Sequence, residues 1–316
     1  MRAQQASAAQ VGIIFAIAAY TMWGIAPIYF KQLTVLPAAE ILMHRIIWSV
    51  LVLVGLIAAL NQWPKVMAAF RNKKVMQVLL VAGILLGANW LLFIWAVNND
   101  HLLDASLGYY INPLINVFLG RLFLGERLRT FQRVAVVLAI VGVAILIFSY
   151  GHVPWIALVL AGSFSIYGIL RKQVAVDSLP GLFIETLMLS PLALGYWLLF
   201  GSQYSNLFNN DASLNMLILA AGIVTTAPLL CFTAAARRIM YSTLGFLQYI
   251  GPTLMFVLAV YLYDEPLDEA RLITFGFVWL ALAVFSVDSL IAYKKQRKAL
   301  KASMQAAKAT SGTQTS

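Results

Sequence analysis

The sequence predicts an all-α polytopic membrane protein. Three observations favour this fold class: an apolar composition, long apolar runs and basic connecting segments. Of its 316 residues, 62% are hydrophobic and 11% are charged, with a mean hydropathy of +0.85. Soluble domains average about 45–50% apolar and about 25% charged residues, so this chain has too little charge for a soluble surface. The composition argues against a soluble enzyme, a disordered chain and a nucleic-acid-binding protein, and favours a lipid bilayer as partner.

Ten apolar segments are long enough for membrane-spanning helices, which need about 20 residues each. Because backbone polar groups in lipid must bond within their own segment, helices are the expected structure. The first run is too long for a cleaved signal peptide and is interpreted as a retained helix. The predicted spans are residues 11–30, 40–60, 76–97, 103–124, 133–149, 153–172, 180–200, 213–235, 242–262 and 271–292.

The basic residues fall mostly on one side of the membrane when the ten spans alternate. Of the 22 Lys and Arg residues, only Lys31 and Arg271 lie on the side opposite the termini, and Arg45 lies within a span. Cytoplasmic loops carry the excess of Lys and Arg, so we expect both termini in the cytoplasm. The basic tail, residues 296–316, ends in small polar residues and is predicted to be disordered.

The chain resembles itself at an offset of about 139 residues. SLGYYINP at 106–113 recurs as TLGFLQYIGP at 243–252, and Glu40 matches Glu185. Each copy would hold five spans, and because five is odd the second copy enters the membrane in the opposite sense. We therefore expect ten transmembrane helices in two inverted five-helix repeats, residues 1–150 and 151–295. Inverted repeats are typical of transporters that bind substrate near the midplane, between the halves.

Four long motifs are distinctive: WGIAPIYFK at 23–31, AEILMHRIIWS at 39–49, GANWLLFIWAVNNDHLLDASLGYYINPLINVFLGRLFLGERL at 87–128 and AGIVTTAPLLCFTAAARRIMYSTLGFLQYIGPTLMF at 221–256. These motifs closely resemble those of RarD-type permeases, in the EamA group of the drug/metabolite transporter superfamily. The resemblance covers about residues 11–293 and implies a bacterial inner-membrane permease with two EamA repeats. It also implies transport of small organic metabolites or drugs, and a link to chloramphenicol sensitivity. Asp264 departs from the family pattern, since relatives often have Gly before the Glu at 265.

The sequence leaves three functions open: a secondary transporter working by alternating access, a passive channel, and a membrane-embedded lipid-modifying enzyme. It lacks the GxxxxGK[ST], HExxH and GxSxG motifs, which bind ATP or carry hydrolysis. We therefore expect no enzyme, and transport driven by a gradient, with protons as the candidate coupling ion. One cysteine and three scattered histidines predict no metal site, and we expect no cofactor. Monomer and homodimer both stay open.

Glu40, His44 and Arg45 open the second span and are the first candidates for the transport pathway. Glu40 and His44 share a helix face because they are four residues apart. A charge inside the bilayer needs a partner or water. Arg45 is therefore the candidate ligand for an anionic substrate group, with Glu40 or His44 handling a proton. The alternative is that all three lie at headgroup depth and anchor the helix.

Three other acidic residues have more than one interpretation. Glu185, the match of Glu40, is a candidate proton-coupling group, and the alternative is an ion pair with Arg171 or Lys172. Asp288 is interpreted as an interfacial anchor beside the basic residues that end the last span. Glu126 is expected to pair with neighbouring arginines or to cap the next helix.

Amide and aromatic side chains recur at matching places in the two halves, beside the helix-bending prolines Pro113 and Pro252. Such groups either bond between helices or line a pocket for planar or amphipathic solutes. A proline also frees a backbone carbonyl one turn earlier, which is a further candidate ligand. The candidate pathway residues of this kind are Asn89, Trp90, Tyr110, Asn112, Gln248 and Tyr249.

Overall fold

The computed structural model describes residues 2–33, 35–98, 102–151, 154–262 and 269–312, and these fold into helices joined by short connections. The all-α prediction is thereby confirmed for the described chain. Two short 3-10 turns, Lys31–Leu33 and Gln203–Ser205, accompany the α-helices. The helices are α1 Arg2–Phe30, α2 Ala38–Ala59, α3 Trp63–Arg71, α4 Lys73–Asn98, α5 Leu102–Leu124, α6 Thr130–Tyr150, α7 Trp155–Gln173, α8 Ser178–Phe200, α9 Ala212–Ala236, α10 Tyr241–Gln248, α11 Ile250–Leu262 and α12 Glu269–Gly312.

Within the described ranges, nine helical segments are long and apolar enough to cross a membrane. The predicted fourth span, 103–124, is also a helix, the 23-residue α5, but it is not among the nine. The chain is therefore a multi-pass membrane protein, and the count of ten spans stays a prediction. The nine segments are Ala8–Leu33, Ala38–Ala59, Lys73–Phe93, Thr130–Ser149, Trp155–Gln173, Ser178–Phe200, Ala212–Ala236, Tyr241–Leu262 and Leu272–Ala292.

The limits of α6 follow from local signals at its two ends. The backbone N–H of Arg129 donates to Gln132 Oε1 at 2.9 Å, which satisfies a group that the helix itself leaves unbonded. At the other end Gly151 has a φ of 72°, the left-handed conformation that commonly ends a helix. α6 therefore begins at Thr130, three residues before the predicted span of 133–149.

The two matching prolines have different effects on their helices. Pro113 lies inside α5, which continues through it without interruption. In the second half the helix breaks at Tyr249, between α10 and α11, three residues before Pro252. A proline has no N–H to bond the carbonyl four residues earlier, here that of Gln248. At the neighbouring residue, the Tyr249 N–H bonds the Phe246 carbonyl, three residues earlier, at 3.3 Å. The expected helix distortion is therefore visible as a break in the second half only.

Two further features differ from the sequence prediction. A short helix, α3, lies in the connection between α2 and α4, where the sequence predicted no span. In addition, α12 continues as a helix to Gly312, beyond residue 295, where a disordered tail was expected to begin. The segment 296–312 is rich in Ala, Lys and Gln, which are strong helix formers, and this composition explains its helical backbone.

The helices pack in pairs that bring the two halves of the chain together. α2 packs against α8 and α9, α4 packs against α7 and α8, α1 packs against α9 and α11, and α5 packs against α7 and α10, while α6 packs against α12. The contact between α2 and α9 is close at Gly222. A Cβ atom there would lie 2.6 Å from the backbone of Trp48, so glycine permits this approach.

A cluster of aromatic rings fills the space where α1, α7 and α9 meet. Phe232 is the centre of the cluster, with its ring centroid 5.8 Å from that of Trp23, 5.1 Å from Phe164 and 6.2 Å from Tyr167. Tyr167 and Phe232 are fully buried. Offset and edge-to-face ring contacts stabilise beyond their buried area, so the cluster joins one helix of the first half to two of the second.

Candidate functional site

Arg45 lies two turns into α2, and its side chain reaches the helices α4 and α9. Its Nε donates to Thr225 Oγ1 at 2.9 Å, and the guanidinium carbon lies 4.6 Å from the ring centroid of Trp90 and 5.3 Å from that of Phe30. Among the residues that the structure describes, no carboxylate lies within 4.0 Å of this guanidinium. A hydroxyl and two aromatic faces therefore surround a cation that has no counter-ion among the described residues.

A small cavity adjoins Arg45 at the meeting point of four helices. Its volume of about 10 Å³ is room for about one water molecule, so the cavity is small in this conformation. The wall combines apolar side chains with hydroxyls, and Thr226 Oγ1 is buried without a hydrogen-bond partner. The lining residues are Arg45, Ile46 and Ser49 of α2, Trp90 of α4, Leu182 and Thr186 of α8, and Thr225, Thr226 and Leu229 of α9.

The hydroxyls of this wall were missed in the sequence. Ser49, Thr186, Thr225 and Thr226 stand alone or as a pair in long apolar runs, where a hydroxyl commonly bonds to its own helix. The available signal was their depth in spans two, seven and eight, since Arg45 had to find polar partners within the bundle.

Glu40 and His44 face a different place from Arg45. The Glu40 carboxylate accepts hydrogen bonds from Ser202 N at 2.7 Å, Ser202 Oγ at 2.8 Å and Ser205 Oγ at 2.6 Å. It thereby ties the start of α2 to the turn that follows α8. Glu40 and His44 are each 1% exposed, so both are inside the protein. The predicted trio of Glu40, His44 and Arg45 therefore divides into two separate sites.

His44 connects Glu40 to two tryptophans. Its Nδ1 accepts from Trp48 Nε1 at 3.2 Å, so Nε2 carries the proton in the neutral ring and faces Ser205 Oγ at 3.4 Å. Its ring also contacts Trp197 edge-to-face at 5.5 Å. The result is a hydrogen-bonded chain from Trp48 through His44 and Ser205 to the Glu40 carboxylate.

Two amides hold α7 in the same way. Asn89 of α4 donates to the Leu160 carbonyl at 2.8 Å and to Ser163 Oγ at 2.9 Å. Asn112 of α5 donates to the Ala161 carbonyl at 2.7 Å and to Ser165 Oγ at 2.8 Å. Both amides therefore bond between helices, the structural alternative that the sequence left open, and neither lines the Arg45 cavity.

The remaining predicted amides and aromatics lie at the contact between α5 and α10. Asn116 Nδ2 donates to Asn112 Oδ1 at 3.2 Å and to Gln248 Oε1 at 3.1 Å. The Tyr249 hydroxyl donates to the Tyr110 carbonyl at 3.3 Å. This network crosses the helix break at Tyr249 and is separate from the cavity, so of the predicted amides and aromatics only Trp90 joins Arg45.

Glu185 pairs with a buried arginine. Its Oε1 lies 3.4 Å from Arg171 Nη1, and the two side chains are 1% and 0% exposed. The Tyr167 hydroxyl donates to Glu185 Oε2 at 3.4 Å, and Arg171 Nη2 donates to the Ser178 carbonyl at 3.0 Å. Of the two pairings that the sequence proposed, the structure has the one with Arg171, whereas Lys172 binds the carbonyls of Ala236 and Ile239 at the end of α9.

Glu126 holds the start of α10. Its carboxylate accepts from Tyr241 N at 2.5 Å and from Ser242 N and Oγ at 2.9 and 2.7 Å. A negative charge at a helix N-terminus is stabilised by the helix dipole. The expectation that Glu126 pairs with neighbouring arginines or caps the next helix was therefore wrong, because the chain folds back to place a distant helix start beside it.

Ion pairs join the basic connections at one end of the molecule. Asp177, between α7 and α8, binds Lys65 of α3 at 2.7 Å and Arg237 after α9 at 2.9 Å. Asp288 of α12 pairs with Arg129 at 2.6 Å, whereas the sequence expected basic neighbours on its own helix. The two cations on Asp177, Lys65 first, lower the pKa of its carboxyl below the ordinary value.

These features define a class: a helical multi-pass membrane protein with a polar, arginine-bearing site enclosed between its helices. Comparison with known proteins gives the family. Residues 10–148 match the EamA-like transporter family. The chain is 51% identical over 288 residues to "Protein RarD" of Escherichia coli (strain K12), covering 91% of this chain and 97% of that protein. It therefore belongs to the RarD-type proteins of the EamA-like transporter family.

Other relatives and a solved structure agree with this assignment. The chain is 53% identical over 293 residues to an "Uncharacterized transporter" of Vibrio cholerae serotype O1, covering 92% and 97% of the two chains. It is 31% identical over 293 residues to "Chloramphenicol-sensitive protein RarD" of Pseudomonas aeruginosa, covering 91% and 97%. A crystal structure with 20% identity and a TM-score of 0.67 covers 86% of this chain and 96% of its own, which supports the fold alone.

Proposed function

We propose that this protein is a secondary transporter that moves small organic metabolites or drugs across the bacterial inner membrane by alternating access. The observation that carries the proposal is the position of the Arg45 cavity. It is lined by α2 and α4 from the first 150 residues and by α8 and α9 from the rest. Transporters built from inverted repeats bind substrate at such a junction.

The helix contacts support two inverted repeats. If α1, α2, α4, α5 and α6 correspond to α7, α8, α9, α10–α11 and α12, each of the following main helix contacts has a counterpart. The packing of α1 on α9 and α11 matches that of α7 on α4 and α5, and the packing of α2 on α9 matches that of α8 on α4. The pairs of α2 with α8, of α5 with α10 and of α6 with α12 are their own counterparts. Two halves of similar structure can exchange conformations, which would expose the site alternately to each side.

The ion pairs of Asp177 support the orientation. Because Lys65 and Arg237 bind the same carboxylate, the connections that carry them lie at one end of the bundle. That end holds basic connections, which favour the cytoplasm. Both termini then lie in the cytoplasm as well, if ten spans are present.

The small volume of the cavity favours a carrier over a channel. A channel needs a continuous aqueous route, whereas the space beside Arg45 is only about 10 Å³ in the described conformation. A lipid-modifying enzyme has less support, because membership of a transporter family and the absence of hydrolase motifs in the sequence both point elsewhere.

Protons remain the candidate coupling ion, and Glu185 the candidate group. Its carboxylate is buried and paired with Arg171, so taking up a proton would release that arginine and change the contact between α7 and α8. Replacing Glu185 with Gln should then remove the response of transport to an uncoupler while leaving exchange of substrate intact. An unchanged uncoupler response in Glu185→Gln would remove this residue from coupling.

The test of the function compares cells that lack the protein with cells that produce the wild type, Arg45→Ala or Arg71→Ala. Arg71 is an exposed arginine at the end of α3 and controls for the lost charge. Metabolites and labelled chloramphenicol are measured inside the cells, with and without an uncoupler. We expect the wild type and Arg71→Ala to change accumulation, and Arg45→Ala to match the deletion at equal membrane abundance.

Reconstitution then separates the candidate functions. Saturable flux with counterflow of the accumulated solute supports a carrier, whereas flux that does not saturate supports a channel. Wild-type flux in Arg45→Ala at equal abundance would remove Arg45 from the pathway.

A further inference from the structure

We infer that the substrate carries an oxyanion, a carboxylate or a phosphate, which binds Arg45, on a compact body whose apolar face packs against Trp90. The inference rests on the proposed transport function, because it assigns the substrate class of that same cavity.

The charge of Arg45 is the first argument. Three other described arginines pair with acidic residues: Arg171 with Glu185, Arg129 with Asp288 and Arg237 with Asp177. Arg45 is the one that lines the cavity, and no described carboxylate lies within 4.0 Å of it. A cation inside a membrane protein is costly unless an anion or water compensates it. A bound anion would supply the missing charge.

The donors around the cavity are the second argument. Arginine has five N–H donors in a planar fork that fits carboxylate and phosphate oxygens. Among the described residues, only Nε has a hydrogen bond, to Thr225 Oγ1, so the outer nitrogens are available for a ligand. Thr226 Oγ1 is buried in the cavity wall without a partner. A hydroxyl beside free N–H groups can donate to the same oxyanion.

The apolar walls define the rest of the substrate. The indole face of Trp90 lies beside the guanidinium, and Ile46, Leu182 and Leu229 form the remaining surface. The described carboxylates nearest along α2 and α8, Glu40 and Glu185, are held by Ser202, Ser205 and Arg171. Neither carboxylate lines the cavity, so neither offers a negative charge to a cationic substrate there. An anionic group on an apolar or planar body suits this cavity better than an amine.

The test uses purified full-length protein and a panel of matched small solutes. Each aryl or short alkyl body is offered as carboxylate, phosphate monoester, amide and amine, and thermal stabilisation of the protein gives the Kd. We expect the binders to be carboxylates or phosphate esters, and the panel shows which of the two the site prefers. Arg45→Gln should raise the Kd of these binders at least about 30-fold, as expected when one partner of a buried charge pair is removed. Arg45→Lys should retain part of the affinity, and Arg71→Gln all of it.

The outcomes separate this inference from the transport function. Binding of amides or amines in preference to oxyanions, oxyanion binding that Arg45→Gln leaves unchanged, or no binding by any panel member would overturn the inference. If Arg45→Gln no longer elutes as a single species in size-exclusion chromatography, the Kd values of Arg45→Lys and Trp90→Ala are compared with that of the wild type instead. If saturable counterflow persists for neutral or cationic solutes only, the protein is still a transporter and the assignment of an anionic substrate is wrong.

Discussion

Two arginines inside the bundle illustrate how the same residue type serves different roles. Arg171 is fully buried, paired with Glu185, and so close to α8 that a Cβ at Gly181 would lie 2.2 Å from its Nη1. Arg45 instead faces a cavity with hydroxyls and rings around it. Removing Arg171 would leave a buried carboxylate uncompensated, whereas removing Arg45 takes a charge from the wall of the proposed substrate cavity. The two should therefore differ in their effects on folding and on transport.

The carboxylate of Glu40 can be assigned to stability or to transport by a single substitution. Its three hydrogen bonds hold the turn after α8, and a hydrogen bond to a charged group contributes about 1.5–3 kcal/mol. Glu40→Gln should lower the free energy of unfolding by about 1–3 kcal/mol, measured by thermal unfolding in detergent, with residual transport in the molecules that fold. A variant as stable as the wild type but without transport would instead assign Glu40 to the pathway.

The sequence could identify the polar residues inside the spans but not their partners. Glu40 and Arg45 stand out as charges in apolar runs, which makes them candidates for the transport pathway. Their partners Ser202, Ser205 and Thr225 are 160 or more residues away in the chain. Since such pairings depend on how the helices meet, the division of Glu40 and Arg45 into two sites could only be seen in the structure.

At the scale of the helices, close contacts depend on small residues. Gly222 lets α9 lie against the backbone of α2, and the Ser49 hydroxyl donates to the Gly222 carbonyl at 3.3 Å. In contrast, a Cβ atom added at Gly55 of α2 would have no neighbouring atom within 4 Å. The two glycines thus separate the cost of a steric clash from the general effect of adding a methyl group.

Gly222→Ala should destabilise the protein because its Cβ would lie 2.6 Å from the Trp48 backbone, which can move only with α2. Forced overpacking costs about 1–3 kcal/mol. Thermal unfolding should show a lowered midpoint for Gly222→Ala and an unchanged or raised one for Gly55→Ala. Equal midpoints for the two variants would mean that α2 and α9 are further apart than described.

The Asp177 ion pairs give a pH dependence with a defined sign. Lys65 and Arg237 lower the native pKa of Asp177 below its ordinary 3.8, so its contribution to stability is complete above that value and is lost as the pH falls through the native pKa. The side chain is 45% exposed, so solvent screening keeps the effect below about 1 kcal/mol.

The midpoints of wild type and Asp177→Asn should therefore differ by a constant small amount between about pH 6 and pH 8, and converge in acid. A difference that grows as the pH falls has the opposite sign and would contradict the pairing. Asp211→Asn, in the connection before α9, is the matched control at an exposed aspartate.

At the scale of the whole molecule, composition was enough to predict an all-α membrane protein, because lipid leaves the backbone few alternatives. The spans were also well placed: 180–200 was predicted and Ser178–Phe200 is observed. The break at Tyr249 could not be predicted in the same way. Pro113 and Pro252 look alike in sequence, yet only the helix that contains Pro252 is interrupted.

The inversion of the two halves has one direct consequence. Lys65 follows α2 in the first half, and Phe208, which is 97% exposed, follows α8 in the second. If α2 and α8 are equivalent helices in opposite orientation, these two connections lie on opposite faces of the membrane.

The most direct measurement is labelling of single cysteines, in a Cys231→Ser background, with a maleimide that cannot cross the membrane. Lys65→Cys and Arg237→Cys should react only when the cytoplasmic face is open to the reagent, and Phe208→Cys only from the outer face. Labelling of Lys65→Cys and Phe208→Cys from the same face would contradict two inverted halves, and with them the site between the halves.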